Sequence, residues 1–161
     1  MKRYILLVLV GMLNILPSFS KEKEEPLQYE VICAGTGVEG TYLVNVSVTV
    51  SNPNSMVEER LRKAAIHGVL FQGVSASDKC SGYRPIVPKR ETEQSRSDFF
   101  LPFFADNGRL ATYADIVKGS LKILKMPKKQ FRISATLSVR KDELRRLLEE
   151  NKIIEGLSTL F

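Results

Sequence analysis

Apolar and polar residues alternate along "TYLVNVSVTV": Tyr42, Val44, Val46, Val48 and Val50 fall on one side, with Thr41, Leu43, Asn45, Ser47 and Thr49 between them. A period of two, rich in β-branched side chains, predicts a strand with one dry and one wet face. The short apolar run "YEVICA" ahead of it predicts a partner strand. The alternation returns in "QFRISATLSV", where Phe131, Ile133, Ala135, Leu137 and Val139 oppose Gln130, Arg132, Ser134, Thr136 and Ser138. With "SLKILK" and the turn "MPKK" before it, this segment predicts a second hairpin.

Between the hairpins the period lengthens. After "NPNS", Val57, Leu61, Ala64, Ala65 and Gly68 share one helical face, and Ser55 with Glu58 has capping-box spacing. Ile66 and Leu70 fall on the opposite side, so the second half of this helix is apolar all round and needs a cover. The candidate cover is "SDFFLPFFADNG", predicted to open a short helix at Ser97 and Asp98 with Phe99, Phe100, Phe103 and Phe104 as its contacts. Residues 73–97 show no period and predict a long irregular segment, with a short strand near Ile86–Val87 or a working surface as its content. "KDELRRLLEENKII" closes as an amphipathic helix, with Leu144, Leu147, Leu148 and Ile154 near one face. Its first turn carries Asp142 and Glu143, which suit the helix dipole. The predicted fold is a single α+β domain over residues 29–161. An antiparallel sheet built from two β-hairpins carries helices packed on one face.

The opening residues change the picture of where the chain works. "MKRYILLVLVGMLNILPSFS" has a basic start at Lys2 and Arg3, an apolar run from Tyr4 to Leu16, a break at Pro17, and small residues at Ser18 and Ser20. That is the build of a secretory signal peptide over residues 1–20, followed by a charged leader over 21–28. The apolar run is shorter than the roughly 20 residues a membrane span needs. No later stretch is apolar enough, so the mature chain is expected to carry no transmembrane segment. Export to the periplasm or the cell surface is the expectation.

Removing residues 1–20 lowers the formal charge from +6 to +4, since the segment holds Lys2, Arg3 and no acid. The remaining cations are interspersed with eighteen acidic residues, without a block of five or six like charges. That predicts a mixed solvated surface rather than a nucleic-acid partner. Export also permits a disulfide between Cys33 and Cys80; a small buried thiol at Cys33 is the alternative.

"GTGVEG" at 35–40 matches the glycine pattern of dinucleotide-binding turns. That chemistry needs a helix directly after the glycines, inside a parallel βαβ unit. Here the valine ladder follows Gly40, so the glycines predict a hairpin loop that uses positive φ. His67 is the only histidine, with no companion at metal-ligand spacing. It reads as a hydrogen-bonded histidine at the helix flank; catalysis there requires a carboxylate delivered by folding. No serine sits in a nucleophile elbow. No catalytic, cofactor-binding or metal residue is expected.

"RKAAIHGVLFQGV", "SDFFLPFFADNGRLATY" and "LSVRKDELRRLLEENKIIEGLSTLF" together resemble a group of small uncharacterised exported proteins of Gram-negative bacteria, over roughly residues 42–161. More loosely, the order of elements is similar to small α+β domains of envelope-assembly accessory proteins, including those near curli-type secretion and flagellar assembly. The resemblance implies an envelope role and transfers no catalytic motif. The expected function is therefore non-enzymatic: protein–protein binding or assembly with another envelope protein, or self-association. The candidate interface is Ile66, Leu70, Phe99, Phe100 and Phe103. The alternative is a module for a small glycan, lipid or peptide, held in a cleft that those phenylalanines line between the sheet and the long loop.

Overall fold

In the computed structural model, which describes residues 28–53 and 56–156, the valine ladder is strand β2 (Tyr42–Val50) and "YEVICAG" is strand β1 (Tyr29–Gly35). The glycine-rich segment turns the chain between them. Gly35 and Gly40 have φ of +144° and +79°, and the Thr41 amide donates to the Val38 carbonyl at 2.9 Å. A strand follows these glycines, so the dinucleotide geometry is absent.

The second hairpin pairs β4 (Lys122–Met126) with β5 (Gln130–Val139). β5 also pairs with β2, which sets Val44 opposite Leu137, Val46 opposite Ala135 and Val48 opposite Ile133. These six side chains are buried, because directly opposed residues of an antiparallel pair share a face. A short strand β3 (Ala114–Ile116) takes the remaining length of β5 beside β4. All strand pairings are antiparallel, and the order runs β1, β2, β5, then β3 and β4 side by side.

Helix α1 (Val57–His67) lies on the dry face with Leu61, Ala64 and Ala65 fully buried. Ser55 lies outside the described residues; Glu58 instead reaches Arg62 at 3.2 Å. The helix continues as a π-turn over Gly68–Gln72, closed by the Gly73 amide on the Gly68 carbonyl at 2.8 Å. Gly68 marks the closest approach of helix to sheet: a Cβ there would stand 2.6 Å from Cγ2 of Val31.

The apolar end of α1 receives its cover from helix α3 (Ser97–Ala105), which runs through Pro102. The Phe100 and Phe104 rings stand 5.0 and 6.5 Å from the Phe71 ring. Helix α4 (Asn107–Tyr113) follows, capped by the Asp106 carboxylate on the Arg109 amide at 3.0 Å. Helix α5 (Lys141–Glu150) closes the described core with Leu144 and Leu148.

Residues 73–97 are more ordered than their composition predicts. Val74 and Tyr83 exchange backbone hydrogen bonds at 2.8 and 2.9 Å. Ser75 bonds to β1 at both its amide and its carbonyl. The amides of Ile86 and Val87 donate to the Val69 and Leu70 carbonyls, which buries both side chains. A short helix α2 (Glu91–Ser95) ends the segment. Cys33 and Cys80 are bonded, with Cα atoms 5.9 Å apart, so the segment is tied covalently to β1. The α+β architecture with helices on one sheet face is thus the one the periodicities predict. The expected signal peptide, all but the last residue of the leader, and residues 157–161 lie outside the described residues. No helix among the described residues is long and apolar enough to cross a membrane.

Candidate functional site

Folding does bring a carboxylate to His67. The imidazole leaves the end of α1 and meets Tyr29, the first residue of β1, and Glu93 of α2. The Tyr29 hydroxyl lies 2.5 Å from Nδ1, and Nε2 lies 2.9 Å from Glu93 Oε1. Burial, and secondly the negative charge of Glu93, hold the Tyr29 phenol well above its ordinary ionisation range. The phenol keeps its proton, and its hydroxyl and the Glu93 carboxylate occupy the two ring nitrogens of His67. The ring packs against Phe71 and Phe104, with centroids 5.0 and 5.6 Å away, and its side chain is 25% exposed. Both ring nitrogens are thus engaged by this chain. The group fastens a strand, a helix and the long segment to one another. Nothing in sequence spacing could find it, since Tyr29 and Glu93 stand 38 and 26 positions from His67.

The expected interface residues lie elsewhere than on a surface. Ile66, Leu70, Phe100 and Phe103 are at most 2% exposed, and Phe99 is half-buried beside Phe100 and Phe103. This corrects the expectation of a docking patch: the aromatic cluster is the cover that α1 requires, supplied by the same chain. The large apolar side chain that α3 does present outward is Leu101. These phenylalanines line neither of two open polar grooves, which lie on the wet sheet face. The larger, about 420 Å³, is lined by Asn45, Thr136, Ser77, Asp78 and Lys79 among others, and the smaller, about 190 Å³, by Glu30, Ser47, Thr49 and Arg132 among others.

Exposed hydrocarbon gathers instead at the far edge of the sheet. Val117 and Leu121 are each 42% exposed, Ile123 53% and Leu124 61%. Lysines surround them. Residues 116–141 carry eight cations (Lys118, Lys122, Lys125, Lys128, Lys129, Arg132, Arg140 and Lys141) and no acid. Arg132 pairs with Glu30, Arg140 with Asp115, and Lys141 with Asp142. The five lysines from 118 to 129 are exposed, and none makes an ion pair with a described residue. Contiguous like charge does not mark this run, because apolar and small residues separate all but Lys128 and Lys129. The absence of any acid between Asp115 and Asp142 was the readable signal.

Comparison of the chain with protein-family models, curated protein sequences and solved structures gives no match.

Proposed function

We propose that this chain is an exported envelope protein that acts by binding another protein rather than by catalysis, and that the β3–β4 edge is its contact surface. The observation that carries the reading is the coincidence, on one segment, of four exposed apolar side chains with five lysines that lack acidic partners. Solvated surfaces scatter such apolar residues singly; a run of them along one sheet edge, interleaved with charge, has the composition of an interface. The packing of the His67 ring against Phe71 and Phe104 supports the non-catalytic part. The Cys33–Cys80 bond supports an oxidising compartment, in keeping with the signal-like start. Self-association through this edge is disfavoured, since it sets one lysine cluster against another.

The test is site-specific photo-crosslinking in the native cell, with the reactive group at Ile123 or Leu124 and, as controls, at the exposed Val38 or Leu101. Capture of one envelope protein from the β4 positions alone is the expected result. Capture from all four positions alike, or from neither β4 position, overturns the reading. A second reading rests on the 420 Å³ groove, whose hydroxyl, amide and charged lining suits a glycan better than a lipid. Glycan-induced NMR shifts at Asn45 and Thr136, with β4 unmoved, would favour it.

A further inference from the structure

The β4 edge presents more than side chains. β4 pairs with β5 on one side, and among the described residues no other backbone bond reaches Lys122–Met126. Alternate residues of an edge strand direct N–H and C=O groups away from the sheet, so β4 offers an open ladder. Register fixes the faces. Lys122 opposes Ser134 and Leu124 opposes Arg132, on the wet face; Ile123 opposes Ile133 and Lys125 opposes Phe131, on the dry face. Over Lys122–Lys125 each face of the edge therefore carries one apolar side chain and one lysine, and Met126, opposite Gln130, follows on the wet face.

A lipid surface fits this poorly. The apolar groups point to both faces instead of one, and an open ladder entering hydrocarbon would leave its backbone groups without partners. A second copy of the edge brings like charges together. An extended segment of another protein satisfies the ladder, and acidic side chains on it satisfy the lysines. The turn adds a second observation. Lys128 and Lys129 hold φ of +61° and +57°, a conformation that asparagine or glycine adopts at lower cost. Lysine at both positions keeps positive charge beside the edge in spite of that cost.

We infer that β4 takes an added strand from a partner protein, and that the strand has the pattern acid–apolar–apolar–acid, the complement of Lys122-Ile123-Leu124-Lys125. The pattern is palindromic, as is its complement, so it holds for either direction of the added strand. The inference rests on the β3–β4 edge being the contact surface and names the chemistry that the surface recognises.

The probe is a short peptide with a central Glu-Val-Val-Glu, titrated against the full chain by NMR, beside the permuted Val-Glu-Glu-Val of equal charge and composition. The first is expected to bind about tenfold more tightly and to slow amide exchange in β4. K122E combined with K125E should abolish that preference and transfer it to a peptide with a central Lys-Val-Val-Lys; K79E, beside β1 toward the other edge of the sheet, should leave it intact. Equal binding of the two acidic peptides overturns the pattern in favour of plain electrostatics. Binding of neither means that the lysines only guard the edge against aggregation. Sedimentation of the chain with phosphatidylglycerol vesicles, without peptide binding, overturns the proposal in favour of a lipid surface. If Ile123 and Leu124 still capture an envelope protein while the peptides fail, the surface stands and its partner chemistry is what is wrong.

Discussion

Tyr29 holds its proton in a site that disfavours phenolate twice over, by burial and by the nearby Glu93 charge. An unfolded tyrosine releases that proton near its ordinary value of about 10. The folded state keeps it to higher pH, so the contribution to stability is fully present below about pH 10 and declines as the pH rises above it. Tyr29→Phe removes the hydrogen bond to His67 and should lower stability at neutral pH by about 1 kcal/mol. The difference between variant and parent should then shrink above about pH 10, as measured by urea unfolding over a pH series. Gly68 acts by what it lacks. Gly68→Ala places a methyl group 2.6 Å from Val31 Cγ2, too close for two carbons, and should destabilise by about 1–3 kcal/mol. Val31→Ala in the same chain should return part of that loss, a non-additivity that a double-mutant cycle reads directly.

The segment between α1 and α3 shows how elements without periodicity become ordered. Its fastenings are non-local: Val74 to Tyr83, Ser75 to β1, Ile86 and Val87 to the end of α1, the Tyr83 ring stacked 4.0 Å from Tyr42, and Cys80 to Cys33. The disulfide spans 47 positions, for which the chain-entropy account gives about 4 kcal/mol. Replacing both cysteines with serine should lower the denaturation midpoint accordingly. Amide exchange should rise first at Ser75, which donates to Val31, and at Cys33, which donates to Ser75, because the crosslink holds these bonds in register. Exchange that rises uniformly over the whole chain would instead mean that the crosslink acts on the unfolded state alone.

Across the whole molecule, hydrophobic side chains divide into two populations with different consequences. One forms a continuous core from the valine ladder through α1 to the phenylalanines of α3. The other stands in water, and four of its seven large members among the described residues gather at the β3–β4 edge, with Val38, Met56 and Leu101 scattered elsewhere. Phe100→Ala should cost about 3–5 kcal/mol, because it empties a site that is 2% exposed. Leu124→Ser should change stability by less than about 0.5 kcal/mol, because that side chain has little packing to lose. Thermal unfolding of the two variants separates core from contact surface. Charge divides in the same sense: each arginine of the late hairpin and the residues after it that faces an acid is paired, while the lysines at the edge are left to attract.

Much of this was legible along the chain. The period-two valines could be nothing but a half-buried strand, and the glycines before them nothing but its turn, because a helix would scatter those side chains around its axis. The apolar second half of α1 required a cover, and the aromatic run was the only cluster of matching size; both requirements follow from local geometry and burial. What stayed hidden depends on contacts between distant positions. The meeting of Tyr29, His67 and Glu93, and the burial of Ile66, Leu70, Phe100 and Phe103 on one another's account, are such contacts; the Cys33–Cys80 bond was open in the sequence beside a free thiol, and the fold decides for the bond. So is the exposure of Ile123 and Leu124, whose apolar character alone would place them inside. Sequence by itself determines which elements form, because each depends on neighbours within a few residues. Only the tertiary structure decides which apolar residues are covered and which strand is left with an open edge, because that depends on where the sheet runs out of partners.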